Sequence, residues 1–200
     1  MADNSYMRRR IVNELRNYQK ERRPDDTVRI ELVSDDMMHL KGYMKGVEGT
    51  PYAGGVFELE IEIGEMYPIC APKIKFNTKI WHPAVNPFDG TVCLHDTEEP
   101  FWPAPMTLFK TLLTIQSWMS SLDSKEPIDV EILEQARQKP AIFEKTAEFW
   151  TVKFAKARKT IDPEMERKVR LIKKLTGTEE LAVIALSYHN WELPNDLPEY

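Results

Sequence analysis

From Phe57 to Ile63 the chain alternates without a break: Phe57, Leu59, Ile61 and Ile63 are apolar, while Glu58, Glu60 and Glu62 are charged. A strand sends successive side chains to opposite faces, so this run predicts a strand with one buried face and one wet face. Val28, Ile30 and Leu32 alternate with Arg29 and Glu31 in the same way, and Met38 to Lys45 and Lys73 to Phe76 supply two more strands. Asp35-Asp36 and the turn-rich segment Gly46 to Gly55 separate them, with no helical stretch between. Strands this close together predict an antiparallel meander.

Elsewhere the apolar period is three to four residues. Met7, Ile11, Leu15 and Tyr18, with Val12, make one face of a helix over 5–20, which Pro24-Asp25-Asp26 ends. Thr107 is an N-cap for a helix running to Leu122, with Leu108, Leu112, Ile115 and Met119 on its apolar face. Two further helices are predicted over 128–138 and 140–157, the second starting at Pro140, and a small pair over 164–175 and 178–189. Pro194 and Pro198 leave room for only a very short helix after Trp191. Between strands and helices, Asn77 to Pro105 has no periodicity but holds Trp81, Trp102, five prolines and an Asp89-Gly90 turn signal. A loop of this length inside a compact domain is commonly functional. Segregated strands and helices define the α+β class.

Composition narrows the possibilities. A chain of 200 residues suits one domain plus a small extra unit, and its Leu, Ile, Val and Phe content excludes a disordered chain. The longest apolar run, Leu181 to Leu186, is far short of a membrane span, and Arg8-Arg9-Arg10 is not followed by the apolar segment of a signal peptide. Two cysteines cannot make a disulfide framework, and no Cys/His cluster has zinc spacing. A soluble intracellular protein with reduced thiols and no bound metal is expected. The net charge of −5 is uneven: residues 1–23 carry seven Lys/Arg against three Asp/Glu, and 24–160 carry 15 against 21. A basic amino-terminal segment on an acidic body argues against a nucleic-acid binder. That segment is either a solvated helix face or a local partner site.

Cys93 lies in Gly90-Thr91-Val92-Cys93-Leu94. On its apolar neighbours alone its default reading is a small buried hydrophobe, and the functional reading is a nucleophile held near the surface by a rigid loop. His82 and His95 are available as bases, but the sequence places neither beside the sulfur. Cys70, in Tyr67-Pro68-Ile69-Cys70-Ala71-Pro72, precedes the fourth strand and reads as structural.

Several segments in order resemble the ubiquitin-conjugating enzymes. They are Thr50-Pro51-Tyr52-Ala53-Gly54-Gly55, Tyr67-Pro68-Ile69-Cys70-Ala71-Pro72-Lys73, Ile80-Trp81-His82-Pro83 and Gly90-Thr91-Val92-Cys93-Leu94, followed by Trp102 and the Met106-Thr107-Leu108 helix start. The resemblance covers residues 1–157, and 160–191 resemble a ubiquitin-associated domain through Ala185-Leu186 and Trp191. It implies a catalytic core over 1–157, a linker over 158–163 and a small all-α ubiquitin-associated-like domain over 164–200. The fold it implies is an amino-terminal helix, a four-stranded meander, an active-site loop and carboxy-terminal helices, as the periodicity predicts.

By this resemblance Cys93 is the catalytic residue. It would take ubiquitin from the activating enzyme as a thioester and pass it to a lysine amine with a ubiquitin ligase, building polyubiquitin chains in the extended members. Ubiquitin, the activating enzyme, ligases and substrate proteins are the implied partners; nucleic acid and membrane are not. No cofactor is implied, since ATP is used by the activating enzyme upstream. A cytoplasmic location is expected, with the nucleus as the alternative.

The family's His-Pro-Asn motif has an asparagine that supports the loop and helps the oxyanion. Here the sequence is His82-Pro83-Ala84, and alanine's methyl donates no hydrogen bond. Asn86 is the nearby candidate to replace it, and Ser121 corresponds to the position that helps the attacking lysine. His82 and Pro83 complete the expected loop support. Asp96, Glu98 and Glu99 would disfavour the thiolate and raise the Cys93 pKa, tempered by His95. The implied partner face carries Arg9, Arg10, Ile69 and Pro103-Ala104-Pro105. In the extension, Leu175-Thr176-Gly177 replaces the family's Met-Gly-Phe knob, so weak or absent ubiquitin binding is expected. Retention of Cys93 favours an active enzyme; Ala84 and Leu175-Thr176-Gly177 favour an impaired member that binds ligases or ubiquitin as a regulator.

Overall fold

The computed structural model describes residues 5–35, 37–92, 103, 105–121 and 127–194. The order is α1 (Ser5–Glu21), β1 (Val28–Leu32), β2 (His39–Lys45), β3 (Val56–Glu62), β4 (Lys73–Phe76), α2 (Leu108–Trp118), α3 (Val130–Gln138), α4 (Pro140–Ala155), α5 (Pro163–Thr176) and α6 (Glu179–Tyr188). The four strands pair antiparallel in sequence order. Register follows the alternation: Leu40 faces Ile61, Met44 faces Phe57, and Ile61 faces Ile74, all on the buried face. On the wet face, Lys41 reaches Glu58 at 2.8 Å and Lys75 reaches Glu60 at 2.9 Å. These exposed pairs fix register more than they stabilise.

Helix α2 lies against β1 and β2 and closes the core with Leu108, Leu112 and Ile115. Gly42 permits this approach, because a Cβ there would sit 2.9 Å from the Leu112 side chain. The Thr107 hydroxyl accepts from Lys110 N and caps the helix, as the sequence predicts. The helix ends at Trp118 and not at Leu122. Met119, Ser120 and Ser121 each donate to the carbonyl three residues back, tightening the last turn. The Trp118 carbonyl also takes a bond from His82 of the long loop.

The carboxy-terminal pair packs directly on the body. The Trp150 indole donates to Ser187 Oγ at 2.9 Å, and the Trp191 indole donates to Thr146 Oγ1 at 2.9 Å. Buried Gln135 accepts from the Trp81 indole at 2.8 Å and donates to the Ser187 carbonyl at 2.8 Å and to Asn190 Oδ1 at 3.1 Å. Two ring pairs lie under the helical unit: Trp81 tilted on Trp150 with centroids 5.2 Å apart, and Trp191 edge-on to Phe149 at 4.8 Å. Lys153 pairs with Glu179 on the rim. Among the described residues no helix is long and apolar enough to cross a membrane, and no group of three or more His, Cys, Asp or Glu could hold a metal ion.

Candidate active site

The long loop is ordered by its own backbone as far as it is described. Phe76 N donates to the Gly90 carbonyl at 2.8 Å, so Gly90 lies against β4 with φ +78°. A Cβ at Gly90 would fall 1.9 Å from the Phe76 carbonyl oxygen, which no side chain could survive. Isolated bridges join Lys75 to Thr91 and Val85 to Val92. Asn86 N donates to the Thr91 carbonyl, and Gly90 N donates back to the Asn86 carbonyl, each at 2.9 Å. Thr91 is thus held by Lys75 and Asn86, and Val92 by Val85, immediately before Cys93 in the chain.

His82 is the structural pivot. Its Nδ1 accepts from Ala84 N at 3.0 Å and its Nε2 lies 3.0 Å from the Trp118 carbonyl, which fixes the neutral ring with the proton on Nε2. Burial of the imidazole pushes its pKa down to about 4. The unfolded chain takes up this proton near pH 6.5 and the folded chain only near pH 4, so the unfolded state binds more protons in that window. Stability therefore rises with pH there, and acidifying from 6.5 to 4 removes about 1.4 kcal/mol per unit. Urea titrations at pH 7 and pH 5 will show this loss in the wild type and not in His82→Gln. Nitrogen-15 shifts of the ring will report one neutral tautomer at pH 6.

The other expected site residues divide into two groups. Pro83 is held through its carbonyl, which accepts from Asp129 N at 3.0 Å. Ser121 is exposed just past α2, its N–H on the same Trp118 carbonyl that His82 reaches, so His82, Pro83 and Ser121 share one corner. Ala84 is buried. Asn86 stands one turn further on, where its Oδ1 accepts from Phe88 N at 2.8 Å and from Asp89 N at 3.3 Å; that oxygen is used to shape the loop. Asp89 in turn accepts from Thr91 N, and that bond lowers its pKa. Cys93 with its neighbours His95, Asp96, Glu98 and Glu99, and Trp102 and Ala104, lie outside the described residues.

The expected partner face is a second cluster. Arg9 is exposed on α1, Ile69 is 69% exposed beside exposed Met66, and Pro103 and Pro105 lie next to α2. Arg10 is tied inward: it pairs with Glu14 at 2.5 Å and donates to the Met106 carbonyl at 2.9 Å. Glu14 also accepts from the Tyr67 hydroxyl at 2.8 Å and from Leu108 N at 2.9 Å. Burial and the neighbouring carboxylate push the Tyr67 hydroxyl well above its ordinary range, so it remains a donor. Cys70, which reads from the sequence as structural, is exposed on the same turn and in no disulfide.

Sequence reasoning passed over Glu14, Lys79, Asp129, Gln135 and Tyr188. Asp129 carried a usable signal: its Oδ1 accepts from Ile132 N as the N-cap of α3, a role its place before Val130 foretells. Glu14 carried only its i,i+4 spacing to Arg10; its other bonds, those of Gln135 and Tyr188, and the Lys79–Glu180 pair join residues far apart in sequence.

An amino-terminal helix on a four-stranded meander, a loop pinned against β4 and helices behind it define the class of the ubiquitin-conjugating fold. The family model described as "Ubiquitin-conjugating enzyme" matches residues 10–151. Ubiquitin-conjugating enzyme E2 21 of Caenorhabditis elegans is 38% identical over 170 residues, covering 85% of this chain and 79% of the relative. Ubiquitin-conjugating enzyme E2 K of Homo sapiens is 33% identical over 185 residues, 92% of each chain. Among solved structures, the E2 domain of a Toxoplasma gondii ubiquitin-conjugating enzyme superposes with a TM-score of 0.66 at 34% identity, covering 74% of this chain and 99% of that one. The chain belongs to the ubiquitin-conjugating enzyme family and is a transferase of that class. Membership implies ubiquitin, an activating enzyme and ubiquitin ligases as partners, and the matches do not favour the impaired regulator.

Proposed function

We propose that Cys93 accepts ubiquitin from the activating enzyme and passes it to a lysine amine with a ubiquitin ligase bound. The Cys93 thiolate attacks the carbonyl carbon of the incoming thioester, a new carbon–sulfur bond forms, and the activating enzyme's sulfur leaves as thiolate. The acceptor amine then attacks the same carbon; the carbon–nitrogen bond forms, Cys93 leaves as thiolate, and the ammonium proton passes to solvent or a base. A thiol suits both halves, being a good nucleophile and a good leaving group. The chain needs no cofactor or metal for these steps, because ATP is spent upstream.

The observation that carries this reading is the rigid path of the loop to Val92, held by Val85, Phe76 and Asn86, one residue before the thiol. Pre-set loop geometry is what transfer to an incoming amine requires. His82, Pro83 and Ser121 support that corner, and Ala84 leaves the oxyanion without the family's side-chain donor. Arg9, Ile69 and the Pro103–Pro105 segment form the docking face for ligases.

We read residues 1–157 as the catalytic core, 158–163 as a linker and 164–200 as a ubiquitin-associated-like unit. The α5–α6 hairpin, capped by Asp162 and turned at Gly177, is consistent with that unit. Leu175-Thr176-Gly177 makes its own ubiquitin binding weak. Polyubiquitin chain building and a cytoplasmic and nuclear location complete the reading.

Incubation with ubiquitin, activating enzyme and ATP tests it. A ubiquitin adduct that thiol reductant removes is expected in the wild type and in Cys70→Ser, with none of that kind in Cys93→Ser. A reducible adduct that persists in Cys93→Ser would defeat the proposal.

A further inference from the structure

Helix α6 holds the active-site loop at both of its ends. In its first turn Glu180 pairs with Lys79 at 2.8 Å, and the same ammonium donates to the Phe88 carbonyl at 2.5 Å. At its last residue the Tyr188 ring stacks on Phe88, with centroids 6.3 Å apart and planes within 16°. The opposite contact of that ring is Trp81, edge-on at 5.0 Å, one residue before His82. The Tyr188 hydroxyl donates to Asp129 Oδ2. Asp129 in turn spends its other oxygen on the α3 cap and its backbone N–H on the Pro83 carbonyl. Burial, then the Asp129 bond, pushes the Tyr188 hydroxyl above its ordinary range, so it stays a donor throughout the working pH range. One side chain of the carboxy-terminal unit therefore touches the tip of the loop and the carboxylate that fastens its base.

We propose that Tyr188 is a positioning residue for ubiquitin transfer, setting the loop between Pro83 and Val92 through Phe88 and Asp129. It makes the carboxy-terminal helical unit a working part of the catalytic centre. The proposal rests on the reading that the thiol following Val92 carries ubiquitin. The bond to Asp129 is charge-assisted, the stronger kind. Its loss frees the Pro83 corner to shift, and small displacements of a reacting group cost large factors in rate.

The test uses the full chain charged with ubiquitin, then single-turnover discharge onto free lysine over a range of lysine concentrations. Tyr188→Phe keeps the ring, the stack and the fold. It is expected to lower the maximal discharge rate about tenfold, equal to about 1.4 kcal/mol of barrier. Charging should be retained, the half-saturating lysine concentration should stay within about twofold, and the thermal midpoint should fall by only a few degrees, the effect of one lost hydrogen bond. Adding Tyr188→Phe to Asp129→Ala should then cost little more, because Asp129→Ala has already removed the acceptor of that bond. Discharge by Tyr188→Phe at the wild-type rate would overturn the proposal. A loss confined to the lysine dependence, or full additivity with Asp129→Ala, would overturn it as well. Failure of the wild type to charge would instead strike at the thiol reading beneath it, so the two failures are distinguishable.

Discussion

Deleting residues 158–200 will cost the remaining body roughly 3–6 kcal/mol of stability, read as a drop in the urea midpoint of unfolding. The reason lies in what α6 and Trp191 cover. Trp150 and Trp81 are fully buried, and Phe149 is nearly so. Removing the helical unit strips the Trp150 indole of Ser187 and takes Trp191 from the face of Phe149. Gln135 loses both acceptors for its amide while still bound to the Trp81 indole. Burying a large apolar side chain is worth about 1.5–3 kcal/mol, and three rings are partly uncovered at once. A domain held only by a tether would leave the body's stability unchanged within about 0.5 kcal/mol, the usual range for changes away from packed features.

Glu14→Ala is the second large effect, about 3 kcal/mol of destabilisation in the same assay. One carboxylate satisfies three donors: the Arg10 guanidinium, the buried Tyr67 hydroxyl and the first N–H of α2 at Leu108. Truncation leaves the Tyr67 hydroxyl buried without that acceptor and a half-buried cation without its counter-charge. Glu14→Gln keeps one acceptor oxygen but turns an amide toward donors, so about half the loss is expected to remain. Tyr67 leads into Pro68-Ile69, and Arg10 holds the Met106 carbonyl beside Pro105, so both loops of the docking face hang from Glu14. Ligase-stimulated discharge should therefore fall further than unstimulated discharge in Glu14→Ala. Equal losses in both would show that the strut serves stability alone.

The periodic elements could be read from the sequence because their cause is local. The Phe57–Ile63 alternation places four apolar side chains on one face, and in the fold all four are buried. Thr107 caps α2 and Pro140 opens α4 as their chemistry requires. The end of α2 could not be read. Past Trp118 the chain turns on bonds to carbonyls three residues back, and the Trp118 carbonyl is shared with an imidazole 36 positions earlier. The docking of α6 was equally hidden. Tyr188 and Ser187 look like ordinary helix-end residues until Asp129, Gln135 and Trp150, between 37 and 59 positions away, are brought beside them. Arg10 reads from sequence as part of the partner face with Glu14 one helical turn on, and only the fold reveals the Met106 carbonyl that turns it inward. The motif resemblance reached the family because its residues are contiguous in short blocks; the network that sets the loop is assembled from single residues of many blocks.

The central claim is that Cys93 carries ubiquitin, and peptide mapping of the charged protein by mass spectrometry tests it most directly. After charging with activating enzyme, ubiquitin and ATP, and digestion under mildly acidic conditions that spare thioesters, the account predicts the carboxy-terminal remnant of ubiquitin on the peptide containing Cys93. It also predicts that thiol reductant removes this remnant. A remnant found instead on Cys70, or only on lysines, with the Cys93 peptide unmodified, would contradict it.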